Sequence, residues 1–212
     1  MATFSRENPS LRYTELLGYY QQMHEEGDVA NKIRAEHTFA GQSLDAHRNK
    51  IRELIKKHHA KTILDYGSGK GLSYRARNIR ADDGLDYPNI ESLWNVKSIT
   101  CYDPGYAPFQ QLPSGKFDAV ISTDVVEHCP KDDLPWIIDE VFGYASKFVF
   151  INAACYSAKK SLPNGENAHC TVELPEWWSK QLHAAVKIWP DIVCYACYGV
   201  QQRKNSGLPE VK

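Results

Sequence analysis

Apolar and polar positions alternate with two different periods along this chain, and the changes of period divide it into helices and strands. From Leu11 to Glu26 the apolar side chains Leu16, Leu17, Tyr20 and Met23 fall at helical spacing, and Gly27 closes the stretch. A second amphipathic helix is predicted from about Ser43 to His59, with Leu44, Ile51, Leu54 and Ile55 as its stripe and Ser43 as its cap. The period then shortens. Thr62–Tyr66, Ser98–Asp103, Phe117–Thr123 and Lys147–Ala154 read as strands, and the last two are nearly continuous in apolar residues, as strands covered on both faces are. Leu134–Tyr144 and Pro175–Val186 read as helices, and Ile192–Val200 as a final strand. Asn78–Lys97 is a long polar stretch with room for an extra helix or a flap, and Gln201–Lys212 is a polar tail expected to fray. Strands alternating with helices predict a doubly wound α/β fold: a mostly parallel central sheet with helices on both faces. The expected organisation is one domain over 1–212, with an N-terminal helical cap (1–60), an α/β core (61–200) and the tail.

Composition narrows the partners. A net charge of −1 gives no general attraction to nucleic acid or to anionic membranes. The basic side chains of the second helix (Arg48, Lys50, Arg52, Lys56, Lys57) read first as a solvated face and second as a nucleic-acid contact. No apolar run approaches the roughly 20 residues of a membrane span, and residues 1–11 carry no signal-peptide core, so a cytoplasmic protein without membrane contact is expected. The six cysteines are scattered, as free thiols of a reducing compartment are. Cys194 and Cys197 form a C-x-x-C pair on a strand, where residues three apart face opposite ways, so they are read as buried thiols and not as a zinc site.

Chemistry concentrates after the first strand, in Asp65-Tyr66-Gly67-Ser68-Gly69-Lys70-Gly71, where a helix is expected to begin. The third glycine comes one position too early for the dinucleotide pattern G-x-G-x-x-G. Gly69-Lys70 is followed by Gly71 and not by Ser or Thr, so the P-loop pattern fails as well. The form D-x-G-x-G-x-G resembles motif I of class I S-adenosylmethionine (SAM)-dependent methyltransferases. Phe117–Asp124 is similar to that family's motif IV strand, and the likeness covers roughly residues 40–200. It implies a Rossmann-like class I methyltransferase fold. It also implies a SAM site in which Asp65, Gly67, Ser68, Gly69 and Gly71 wrap the methionine part and Asp103, followed by Pro104, grips the ribose. Thr123 and Asp124 complete it at the end of motif IV. A Cβ at Gly69 is expected to stand in the ligand's path. Only Pro104–Lys116 separate the ribose acid from motif IV, where the family usually places a helix and a strand, and Phe109 and Leu112 are the candidates for adenine contact.

Asp124-Val125-Val126-Glu127-His128 follows that strand. Its spacing resembles the E-x-x-E-H signature of ubiquinone-biosynthesis O-methyltransferases and of small-RNA 3′-terminal 2′-O-methyltransferases, with Asp124 in place of the first glutamate. The resemblance implies a metal site of Asp124, Glu127, His128 and His169 for Mg²⁺ or another divalent cation, which would lower the pKa of an acceptor hydroxyl. Two other readings stand beside it. Asp124 and Glu127 can form a capping box, or His128 or His169 can act as a general base without metal. The expected catalytic residues are Asp124, His128 and His169.

In the loop that follows, Lys159 and Lys160 read as phosphate or carboxylate ligands or as a solvated turn. Of the adjacent Trp177 and Trp178, one is expected in the core and the other either there or on a pocket wall. The expected activity is transfer of a methyl group from SAM, leaving S-adenosylhomocysteine, to a hydroxyl of a small molecule or sugar. Nucleic-acid methylation and a non-catalytic SAM- or nucleotide-binding module are the rival readings.

Overall fold

A computed structural model describes residues 4–199 and the backbone of 210–211. The first helix, α1, spans Leu11–Glu26 as predicted, with the Ser10 hydroxyl accepting from the Tyr13 amide at 3.0 Å. The predicted helix from Ser43 to His59 is broken in two: a 3-10 turn over Gln42–Ala46, then α2 over Arg48–His58. Ser43 caps neither, because its hydroxyl donates to the Thr123 carbonyl at 3.0 Å and pins the turn to the sheet. The stripe Leu44, Ile51, Leu54 and Ile55 is buried.

Strand β1 (Thr62–Tyr66) leads into the glycine loop. No α-helix follows it. Leu72–Arg75 make a single 3-10 turn, and the chain then forms a hairpin of β2 (Ile79–Arg80) and β3 (Asp86–Tyr87). The short helix α3 (Ile90–Trp94) begins at Asn89, whose side chain accepts from the Ser92 amide. The long polar stretch therefore holds both a flap-like hairpin and an extra helix. Then come β4 (Ser98–Tyr102), β5 (Phe117–Thr123), α4 (Leu134–Tyr144) and β6 (Ala145–Ala154), which starts two residues earlier than expected. Last are α5 (Pro175–Ile188), β7 (Val193–Gly199) and β8 (Glu210–Val211). Two residues of the tail expected to fray thus pair antiparallel with β7. Val200, the other tail residues up to 209, and Lys212 lie outside the described residues.

The sheet order is β4-β1-β5-β6-β7-β8, with the first five strands parallel. Period-two alternation fills both faces. Leu64, Val120, Val149, Ile151 and Cys194 pack with α4 and α5, while Ile63, Ala119, Ile121, Phe148 and Phe150 pack with α2 and α3. Cys194 and Cys197 fall on opposite faces, as strand geometry requires. Trp178 is core, and Trp177 packs edge-on against it with Lys131 above its ring, off the lining of the cavity at the carboxyl edge of the sheet. Among the described residues no helix is long and apolar enough to cross a membrane.

The segment before α1 is strapped to α4. The Arg6 guanidinium forks onto both oxygens of Glu140 and donates to the Tyr66 hydroxyl at 3.0 Å, with Trp136 under it. Removing one partner of a largely buried pair leaves the other charge uncompensated. Arg6→Ala should therefore lower stability by about 2 kcal/mol, a value reduced for the residual exposure of both side chains. Urea unfolding checks it; an unchanged midpoint would mean that the strap contributes nothing.

Candidate functional site

A cavity of about 410 Å³ opens at the carboxyl edge of the parallel strands, within the size range of ligand pockets. Strand order reverses between β1 and β5, and the loops leaving those two strands and β4 form its floor. Open α/β sheets place ligands at that crevice. Tyr13, Leu16, Leu17, Tyr20 and His24 of α1, with residues 37–43, form the opposite wall.

At one end lies the glycine loop, with its backbone donors already committed. The amides of Gly67 and Ser68 donate to the Tyr102 carbonyl, Gly69 to Asp103 Oδ2, Lys70 to the Phe39 carbonyl, Gly71 to Ser68 and Leu72 to Ala40. No row of free N–H groups is left to cradle a phosphate, and the 3-10 turn behind the loop is too short to present one. Gly67, Gly69, Asp103, Pro104, Thr123 and Asp124 line the cavity. Asp65, Ser68 and Gly71 do not. Asp65 is buried beneath and accepts from the Tyr74 hydroxyl at 2.7 Å, and burial pushes its pKa up to about 7. Phe109 and Leu112 also lie off the lining. Gly69 has φ +55, and a Cβ there would meet the Phe39 carbonyl oxygen at 2.2 Å, so its bareness serves the packing of the cap segment and not a ligand's path.

Asp103 follows β4 with both oxygens in use, Oδ2 accepting from Gly69 and Oδ1 from the Gly105 amide at 2.8 Å each. Burial raises its pKa, against the pull of those amides. Next to it the buried Lys70 ammonium donates to His24 Nδ1, to the His24 carbonyl and to the Thr38 carbonyl at 3.0–3.1 Å. This joins the end of α1 and the cap segment to the glycine loop. Burial, then the Lys70 charge, lower the His24 pKa from 6.5 to about 3. A folded-state pKa below the unfolded one gives stability that is present above pH 6.5 and is lost as pH falls toward 3. The stability difference between the native protein and His24→Gln should therefore shrink as pH drops through that window. Thermal unfolding of both proteins across it is the check, and a constant difference refutes the assignment. Comparing two proteins cancels the opposite trend of Asp65.

At the other end are Asp124, His128 and His169, whose ligand atoms all lie within 4.8 Å of one another, with His169 Nε2 3.9 Å from Asp124 Oδ1. His128 Nδ1 contacts the Ala168 carbonyl at 2.8 Å and His169 Nδ1 the Tyr156 carbonyl at 2.6 Å. A carbonyl only accepts, so each Nδ1 carries the proton and each Nε2 offers a lone pair, the orientation of metal-ligating histidines. Burial and the His169 charge lower the His128 pKa to about 4. The three residues form a group able to hold a metal ion.

The expected fourth ligand, Glu127, is not in this group. It is fully buried; Oε1 accepts from the Ala154 amide at 2.7 Å, and the Asp124 carboxylate lies beside it. Burial and the neighbouring Asp124 carboxylate raise its pKa strongly. No capping box forms either. The turn over Val126–His128 starts at Val125 without a side-chain cap, and Asp124 sits at φ +63 with its amide donating to Asn152. Among the non-glycine residues at positive φ, His59 and Asn95 end helices, where that geometry is ordinary, but Phe39 and Asp124 face the cavity.

Tyr20, His24, Phe39 and Tyr156 are site residues that the linear pattern did not single out. The Tyr20 hydroxyl bonds the carbonyls of His128 and Ala168 and braces the triad. The one signal for it was the i, i+4 spacing of Tyr20 and His24 on the same side of α1 as Leu16 and Met23. The basic residues of α2 are absent from the lining; Lys50 pairs with Glu53 and Arg52 with Asp83. Comparison of the sequence with family models and with curated proteins, and of the fold with solved structures, finds no match.

Proposed function

We propose that this chain is a SAM-dependent methyltransferase acting on a hydroxyl acceptor, with a divalent cation held by Asp124, His128 and His169. The observation that carries the reading is the continuity of one cavity from the Asp103–glycine-loop end to the triad end. SAM would supply an electrophilic methyl on a sulfonium, with no phosphate to bind, which suits a loop whose amides are all committed. Each Asp103 oxygen has one backbone donor and keeps capacity for a ribose hydroxyl. Thr123 and Val125 line the same cavity, and α1 with residues of the 37–43 segment forms its opposite wall.

The donor set fits a cation: two imidazole lone pairs and a carboxylate converge with no proton between them. Imidazole-rich sites favour Mn²⁺ and later first-row ions over Mg²⁺, which prefers oxygen ligands. Such an ion would act as a Lewis acid on the acceptor hydroxyl and lower its pKa. His128 and His169 would then hold the ion; without it, either Nε2 is free to take the acceptor's proton. Complete chelation separates these readings, since full activity without metal rules out a catalytic ion.

Calorimetric titration with SAM, S-adenosylhomocysteine and NAD tests the cofactor. Heat is expected from the first two alone, and binding of NAD alone sinks the proposal. Asp103→Ala should weaken S-adenosylhomocysteine by about tenfold to a hundredfold, as loss of a charge-assisted bidentate contact does, while Mn²⁺ binding stays unchanged. Equal affinity in that variant would remove Asp103 from the site.

A further inference from the structure

The triad end carries two ammonium groups that the activity proposed above does not use. Lys159 and Lys160 line the cavity beside Tyr156, Ala158 and His169. Among the described residues neither is in an ion pair, although most other cavity-facing polar groups are engaged. Lys160 Nζ sits 5.4 Å from the centre of the Phe39 ring, and that ring stands edge-on 6.0 Å from His128.

The lysines are not on a loose tip. Asn167 Oδ1 accepts from the Ala158 amide at 2.9 Å and from the His169 amide at 3.0 Å, and Asn167 Nδ2 donates to the Ala158 carbonyl at 2.8 Å. The Ala168 amide donates to the Lys160 carbonyl at 3.1 Å, and the Leu162 amide to Glu166 at 2.7 Å. One braced loop therefore carries both lysines and His169, and fixes them relative to each other.

Asp103 and Asp124 are the carboxylates that line the cavity, at opposite ends, and they face the two lysine ammonium groups. Lys159 is exposed and Lys160 half-buried, so an incoming ligand can reach both. A bound cation and a sulfonium nucleoside would tip the cavity to a net positive charge, and the acceptor is the natural source of the balancing negative charge.

We infer that Lys159 and Lys160 form an anion subsite, and that the acceptor is a small molecule carrying a phosphate or carboxylate close to its reactive hydroxyl. That the anion belongs to a methyl acceptor rests on the methyltransferase reading; the subsite itself rests on the braced loop and the two lysines it holds at the cavity. The probe is glycerol 3-phosphate, a phosphate with neighbouring hydroxyls; glycerate replaces the phosphate by a carboxylate, and glycerol lacks the anion. Calorimetry on the full chain, with and without Mn²⁺, should show binding of at least one of the two anions and none of glycerol. The better of the two identifies the acidic group. Lys159→Ala/Lys160→Ala should weaken that anion by about tenfold or more, and the double arginine variant should keep it. S-adenosylhomocysteine affinity, measured on the same samples, should not change. No anion binding by the native protein, or equal affinity in the double alanine variant, overturns the subsite. Lysine-dependent anion binding without any S-adenosylhomocysteine binding keeps the subsite and refutes the methyltransferase reading. A short single-stranded RNA that binds far more tightly than either small anion overturns the small-molecule assignment.

Discussion

His169→Ala is expected to lower Mn²⁺ affinity by about a hundredfold or more, in a protein that stays folded but is less stable without metal. Loss of an outer hydrogen-bond partner alone weakens metal sites by about tenfold to a hundredfold, so loss of a ligand from a set of three sets a higher floor. The His169 ring is buried, edge-on to His128 at 4.7 Å and against Tyr156, and its Nδ1 donates to the Tyr156 carbonyl, so the metal-free variant should also lose about 1–3 kcal/mol of stability. Glu127→Gln is the informative companion. Glu127 would be a direct ligand if the E-x-x-E-H resemblance held in full. In the structure it serves the Ala154 amide and is held toward neutrality by burial and by Asp124, so a neutral amide should replace it with less than about a tenfold loss of Mn²⁺ affinity. Electron paramagnetic resonance of free Mn²⁺ reads both variants directly. If Glu127→Gln is as damaging as His169→Ala, the fourth ligand belongs back in the site and the side chain must turn on loading. If neither variant matters, the triad holds no ion.

The sheet was legible because its strands are short apolar runs stopped by turn residues, and a run such as Phe117-Asp118-Ala119-Val120-Ile121-Ser122-Thr123 leaves little choice of period. Helices α1 and α4 kept their predicted boundaries, which Gly27 and the strand beginning at Ala145 close. Legibility failed where a side chain had two possible partners. Ser43 reads as a helix cap until the Thr123 carbonyl, 80 residues on, takes its hydroxyl. Asp124 and Glu127 read as a pair on one helical face until the chain turns at Asp124 in left-handed geometry and sends Glu127 under the sheet edge to the Ala154 amide. Glycines followed by a mixed segment suggested a helix after Gly71, but Leu72–Arg75 complete one 3-10 turn before the hairpin begins. The polarity of the tail predicts fraying, yet an edge strand needs only backbone pairing, as Glu210–Val211 show. His128 and His169 were found by residue type; that each Nδ1 is spent on a carbonyl is visible only in three dimensions.

Gly69→Ala should destabilise the protein by about 3–4 kcal/mol and abolish S-adenosylhomocysteine binding, and the two losses have one origin. At φ +55 any side chain is disfavoured by roughly 1–2 kcal/mol. The added carbon would also sit 2.2 Å from the Phe39 carbonyl oxygen and 3.1 Å from its carbon. Both belong to backbone that cannot swing aside, so the cap segment has to move, at an overpacking cost of about 1–3 kcal/mol. Moving it breaks the bond from the Lys70 amide to Phe39 and strains those from Leu72 to Ala40 and from Lys70 Nζ to Thr38. The wall formed by residues 37–43 then no longer closes on the glycine loop. Gly115→Ala isolates the conformational part, since Gly115 also has positive φ but would place its carbon in open space, and it should lose only about 1 kcal/mol. Urea unfolding of the two variants gives the difference, and calorimetry gives the ligand affinity. A Gly69→Ala protein as stable as Gly115→Ala would show that the cap segment does not rest on the loop as placed here. Retention of stability with loss of ligand alone would mean that the bare Cα is kept for the ligand after all.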